Sequence, residues 1–406
     1  MLVKLLRASL FPNPSTQICS CRVKRNCRLL LLNSCVSVIN ARTRLRVSAP
    51  TTLITMADQR PTLLRQPPPD PTKAPIENVL EVTELAVLGP NIFTNTRKPW
   101  HPPGARGIYG GSVIAMSLAA GQRTVPEDFA VHSCHCYFLL AGSSELPILF
   151  HVEKVRDGRS FATRTVQARQ KGRCIFTTTI SFVRQNSSGH PDSQVSHASP
   201  MPLGDDGKPL VPPPDDFADE PELLNQGPFQ GHRIEVINKD TPHAHSKKTR
   251  QWVRARGKIA GGQQEHLNAL AYVSDSYFIG TIGRIHRLWR FPFRPEDIPK
   301  LPEDVQKRVR MLNDWEGMGD PDEMADRPEI GMMVSLDHTI YFHEPWKVRA
   351  DEWMLNEMES PWSGDGRGVV IQKIFSKDGT LLATCMQEGV VRLKDLPSVE
   401  SKESKL

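Results

Sequence analysis

The chain has 406 residues, 39% hydrophobic and 24% charged, with a formal net charge of +6. That length suits two or three domains with sizeable cores, and no apolar run approaches the roughly 20 residues that cross a bilayer. Fibrous and helical membrane proteins are excluded, and no integral membrane association is expected.

Residues 1–55 hold nine basic side chains (Lys4, Arg7, Arg22, Lys24, Arg25, Arg28, Arg42, Arg44, Arg46) and no Asp or Glu. Setting those nine aside leaves about −3 for the remainder, so no nucleic-acid partner is expected. An Arg-rich, acid-free leader has the composition of a mitochondrial transit peptide. Met56-Ala57-Asp58-Gln59 also reads as a natural start, which would make 1–55 an optional or non-native extension. Cys134, Cys136, Cys174 and Cys385 are scattered through the body, which fits a reducing compartment better than a disulfide framework.

A Pro-rich lead-in covers 56–77, with Pro67-Pro68-Pro69. The first ordered unit is expected over 78–185. Gly110-Gly111-Ser112 opens an apolar run to Ala120, which predicts a buried helix. Strands are predicted over 131–140, 147–154, 160–169 and 173–184, the last with Cys174, Phe176, Ile180 and Phe182 alternating against Thr177, Thr179 and Ser181. A linker rich in Pro, Ser and acids fills 186–231.

The second unit, 232–396, repeats the plan. An apolar stretch from Leu267 to Ile282 is followed by strands at 333–343, 352–359, 367–376 and 380–393. An irregular insertion at 291–330 interrupts it, with a short helix near 302–315. His135 with Phe138 falls on His338 with Tyr341, Asp157-Gly158-Arg159 on Asp365-Gly366-Arg367, and Gly172 on Gly379. This similarity argues for an internal duplication. The expected fold is α+β: a double hotdog, two antiparallel sheets each wrapping a long buried helix and paired edge to edge.

The tail, 397–406, ends in Ser404-Lys405-Leu406, the tripeptide read as a peroxisomal address. A peroxisomal import receptor is the expected partner and the peroxisome the expected location, with the mitochondrion as alternative.

No Gly-x-Ser-x-Gly elbow, Walker loop or Gly-x-Gly-x-x-Gly is present. In His132-Ser133-Cys134-His135-Cys136, strand alternation separates His135 from the others, so core cysteines are expected rather than a metal site. Neither metal nor cofactor is expected. Three polar residues stand out: Asp275 in an apolar helix interior, where an ionisable group is costly, Ser335 on a strand, and Gln387 in the last apolar strand. Converging, they could hold and polarise one water. Each alone also has a structural reading, as a helix-surface acid, a strand hydroxyl and an edge amide.

Tyr109-Gly110-Gly111, the run from Val131 to Gln170, AYVSDSYF (271–278), SLDHTIYFHEPWKVRADEWML (335–355) and MQEGVVR (386–392) resemble the acyl-CoA thioesterase II family. The likeness covers about 78–185, 232–286 and 331–393. It implies a double hotdog that hydrolyses fatty acyl-CoA, with the family's catalytic Asp, Ser/Thr and Gln falling on Asp275, Ser335 and Gln387. The tetrahedral oxyanion would need preorganised donors, expected to be backbone N–H groups near a helix. The first unit, with Ile180 opposite Gln387 and no Asp in Ala115-Met116-Ser117, reads as a structural half. Alternatives are a non-catalytic acyl-CoA-binding protein and a hotdog enoyl-CoA hydratase; the latter wants a His close to Asp275, and none follows until His286. Acyl chain length and self-association into a homo-oligomer are left open.

Overall fold

The computed structural model describes residues 66–99, 107–218, 220–221, 224 and 227–394. The leader and the Ser404-Lys405-Leu406 address lie outside the described residues. The first half runs α1 (Pro75–Leu80), β1 (Val82–Glu84), β2 (Ile92–Asn95), α2 (Gly110–Gln122), β3 (Phe129–Phe138), β4 (Leu149–Asp157), β5 (Phe161–Gln170) and β6 (Arg173–Arg184). Then come β7 (Phe229–Gly231), β8 (Glu235–Ile237), β9 (Lys248–Ala255), α3 (Gln263–Val273), α4 (Gly280–Ile285) and α5 (Glu303–Trp315). The chain closes with β10 (Ile330–Ser335), β11 (Asp337–Phe342), β12 (Met354–Gly364), β13 (Arg367–Ser376) and β14 (Leu381–Leu393).

These strands form one 14-stranded sheet of order β1-β2-β4-β5-β6-β3-β11-β14-β13-β12-β9-β7, with β10 on β14 and β8 on β9. Its seam is the antiparallel pair β3–β11, where Cys136 faces His338 and Cys134 faces Ile340. The pairing hides what would be two exposed edges. Helix α2 is apolar nearly all round and buries every residue after Gly110, so it is stable only inside. Helix α3 buries His266 through Val273, and the two helices pack on each other. One hydrophobic core runs through both halves, from Phe150 and Phe182 to Leu270 and Ile374. This is the α+β double hotdog.

Four details depart from the sequence expectation. The apolar stretch Leu267–Ile282 is not one helix. Helix α3 stops at Val273, where Ser274 Oγ turns back onto Ala271 O (3.0 Å), and Tyr277 takes a left-handed backbone (φ 58°) before α4 begins. Asp275 therefore sits in a helix break, not a helix interior. Second, the strand expected at 333–343 divides into β10 and β11 at Leu336, whose N–H donates to Glu388 O (2.9 Å).

Third, the His135–His338 match crosses the sheet. His135 is exposed while His338 is fully buried, so the two do not occupy equivalent positions. A one-residue slip reverses a strand's faces, and inward positions opposite His338 and Ile340 belong to Cys136 and Cys134. Fourth, neither irregular segment is merely solvated. Met201, Leu210 and Phe217 cover Trp252, Trp353, Leu355 and Phe375 on the outer face of the second half. The 291–330 segment builds a small core from Phe291, Val309 and Leu312, closed by Trp289 just before it.

Candidate active site

A cavity of about 290 Å³ opens where the α3–α4 break meets the start of α2, walled by Tyr109, Phe229, Tyr272, Asp275, Phe278 and Ser335. The wall is mostly apolar, and Asp275 is one of few carboxylates on it. The first half supplies the floor. Gly111 N–H, in the first turn of α2, donates to Asp275 Oδ2 at 2.9 Å. Both glycines are needed for that approach: a Cβ on Gly110 would stand 2.6 Å from Asp275 Oδ2, and one on Gly111 would stand 2.2 Å from Tyr272 O. Tyr109 O–H reaches Ser276 Oγ (2.9 Å) and Tyr272 O (3.1 Å), fixing the break against α2.

The second Asp275 oxygen accepts from Gln387. Gln387 Nε2 lies 2.8 Å from Asp275 Oδ1, joining residues 112 positions apart. Burial drives the Asp275 carboxyl up to about 6, against the pull of the Gln387 and Gly111 hydrogen bonds, which favour the charged form. A carboxyl titrating there is ionised at neutral pH yet basic enough to take a proton.

Behind Gln387 lies His338, fully buried and held down to about 3 by desolvation, hence neutral. Its protonation follows from its partners. Ser274 Oγ spends its proton on Ala271 O, so at 3.0 Å it accepts from His338 Nε2–H. His338 Nδ1 is then an acceptor, and Gln387 Nε2 donates its second N–H to it at 3.0 Å. Asp275 Oδ1 and His338 Nδ1 together dictate which end of the amide faces them. The 4.0 Å approach of His338 to Asp275 is therefore no ion pair. Gln387 Oε1, turned the other way, is buried without a hydrogen-bond partner.

Ser335 lines the same cavity as Asp275. It stands opposite Gly389 on β14, two residues along from Gln387, and among the described residues no hydrogen bond joins it to Asp275 or Gln387. The structure thus brings Asp275 and Gln387 into contact and places Ser335 on the wall of the cavity that Asp275 lines. Cys134 and Cys136 are buried core residues, with Cys136 Sγ donating to His338 O at 2.8 Å.

Profiles described as acyl-CoA thioesterase N-terminal and C-terminal domains match residues 96–183 and 211–391. The chain belongs to the acyl-CoA thioesterase II family. It is a thioester hydrolase. It is 35% identical to the human acyl-coenzyme A thioesterase 8 over 351 residues, 81% of this chain and 92% of that one. The peroxisomal acyl-coenzyme A thioester hydrolase 1 of Saccharomyces cerevisiae is 26% identical over 348 residues, 79% of this chain and 96% of that one. Among solved structures, an acyl-CoA thioesterase II from Mycobacterium marinum superposes with a TM-score of 0.54 at 28% identity, covering 79% of this chain and 99% of that one.

Two groups of this candidate site were not singled out from sequence. The Gly111 N–H left a signal in the paired glycines of Tyr109-Gly110-Gly111. Ser274 with His338 left none, because their partnership depends on where α3 stops and which face of β11 is inward.

Proposed function

We propose that this thioesterase hydrolyses fatty acyl-CoA to free acid and CoA by direct attack of a water held by Asp275, Gln387 and Ser335. The observation that carries this reading is Asp275 on the wall of an apolar cavity, held from behind by Gln387, with the carboxyl titrating near 6. Asp275 takes a proton from the water as its oxygen attacks the thioester carbonyl. The tetrahedral intermediate then collapses, the C–S bond breaks, and the proton passes from Asp275 to the leaving thiolate. Gln387 acts through Asp275, its Nε2–H donating to Oδ1 and so holding the carboxylate in place for the water. Ser335 Oγ approaches from the β10 side of the cavity.

The apolar walls from Tyr109, Phe229, Tyr272 and Phe278 suit an acyl chain. The enoyl-CoA hydratase alternative needs an available His beside the acid. His338 is beside it, but it is fully buried and both its ring nitrogens are engaged. A role in peroxisomal fatty acid metabolism is part of the same reading, supported by the Ser404-Lys405-Leu406 ending and by the name of the yeast relative. The test is Asp275→Asn assayed by thiol release from acyl-CoA. The expected loss is about 10²–10⁴-fold with an unchanged melting profile; full turnover in a folded variant would refute the assignment.

A further inference from the structure

We infer that His338 is a positioning residue for Gln387, selecting the one amide orientation that presents Nε2 to Asp275 and Oε1 away from it. The inference rests on the catalytic reading of Gln387 above and extends it to a residue with no contact to the cavity.

A terminal carboxamide can rotate half a turn about its last bond, exchanging oxygen for nitrogen at nearly the same positions. In the turned state Oε1 would face Asp275, acceptor against acceptor. Asp275 alone opposes that turn only while it is ionised, because a protonated carboxyl can donate to Oε1. A second constraint independent of Asp275 is therefore needed if the amide is to stay put as the proton moves through the catalytic cycle. His338 supplies it. Its Nδ1 accepts from Gln387 Nε2 at 3.0 Å, and its other nitrogen is committed to Ser274 Oγ at 3.0 Å. Ser274 is itself committed to Ala271 O at 3.0 Å. The Phe278 ring meets the imidazole edge-on at 5.3 Å, limiting its rotation.

Each link in this chain has one direction. The carbonyl at the end of α3 fixes the Ser274 hydroxyl, the hydroxyl fixes the His338 tautomer, and the tautomer fixes the amide. The charge of His338 plays no part. The helix break that sets Asp275 on the cavity wall thereby also orients its partner amide.

The test compares His338→Leu with His338→Asn in the full chain, measuring kcat and KM by thiol release. Asn places an oxygen acceptor near the position of Nδ1, whereas Leu offers none. His338→Leu should lose roughly tenfold to a hundredfold in kcat with KM little changed, as expected of a misplaced catalytic group. His338→Asn should recover most of that loss. Gln387→Leu supplies the control: adding His338→Leu to it should cost nothing more, because a positioning residue without its object has no work. Two folded His338 variants equally slow, or losses that multiply in the double variant, would overturn the inference. Full turnover in Gln387→Leu would instead overturn the catalytic reading itself. If His338→Leu does not fold, Ser274→Ala carries the test: freeing the tautomer should lower kcat severalfold at constant KM, and an unchanged kcat would count against the inference.

Discussion

Helices α2 and α3 begin alike, at the glycine pairs Gly110-Gly111 and Gly261-Gly262, and each start is held by a carboxylate from a distant segment. At α3 the carboxylate is Glu77 of α1. It accepts from Ala260 N–H (3.0 Å), Gly261 N–H (2.8 Å) and Ala74 N–H (2.8 Å). At α2 the carboxylate is Asp275, which accepts from one backbone N–H and one side-chain amide and lies on a cavity. The backbone amides at a helix start attract a carboxylate in both cases. What differs is how much of each carboxylate is left over. Glu77 is consumed by three backbone amides as a fastener between two segments, while Asp275 keeps lone pairs toward the cavity and stays available for a proton.

The two sites should therefore fail in opposite ways. Asp275→Asn is expected to abolish most turnover and leave the fold. Glu77→Gln should do the reverse, since an amide keeps one acceptor oxygen and turns its NH2 toward backbone donors. It should cost about 1–3 kcal/mol of stability in denaturant unfolding, with kcat/KM unchanged below the melting transition. If Glu77→Gln slowed turnover as much as Asp275→Asn while remaining folded, the division between fastener and base would collapse.

A second, smaller effect separates the two carboxylates by pH. Only the ionised form of Asp275 can take a proton from water, and burial has raised its carboxyl to about 6. Below that point kcat/KM should fall roughly tenfold per pH unit, with a plateau above it. The Gln387 hydrogen bond pulls the same carboxyl down, so Gln387→Leu should move the acid limb upward as well as lowering the plateau. A limb near pH 4 in the wild type would mean that the cavity is wetter than the structure makes it. Glu77→Gln should leave the limb where it is.

How much of this was legible beforehand follows the range of the interactions. The buried helix α2 and strands β5, β6 and β13 could be read from apolar runs and alternation, because each reflects one face packed on one core. The contact between Asp275 and Gln387 is not written in any local pattern: both stood out as polar interruptions of apolar runs, and resemblance to a family is what favoured their convergence over the structural readings. The break after Val273 was hidden because Tyr272, Val273, Phe278 and Ile282 are apolar on both sides of it, and Ser274 and Tyr277 are unremarkable helix residues on their own. The parity error at His135 and His338 has a similar cause. A motif match compares letters, whereas the sheet compares faces, and a slip of one residue preserves the first while inverting the second.

Ser335 is where the comparison can be sharpened most finely. It belongs with Asp275 by position, since both line the cavity, but it resembles neither carboxylate in how it is held. Its place opposite Gly389 puts it diagonally across from Gln387, and side chains so related are typically about 7–8 Å apart at the backbone. Gln387 Nε2 is committed to Asp275 and His338, so the proposed role of Ser335 is through a water that it shares with Asp275 in the cavity. The hydroxyl should then contribute a single hydrogen bond to the water or the intermediate, worth about 0.5–1.5 kcal/mol. Ser335→Ala is accordingly expected to lose only about threefold to tenfold in kcat, measured by thiol release, and Ser335→Thr to retain activity because the oxygen is kept. A hundredfold loss in Ser335→Ala would place the hydroxyl on the reacting atoms as firmly as Asp275, which requires β10 to close toward α2 when substrate fills the cavity. No loss at all would remove Ser335 from the proposed mechanism, and would leave β10 as wall alone.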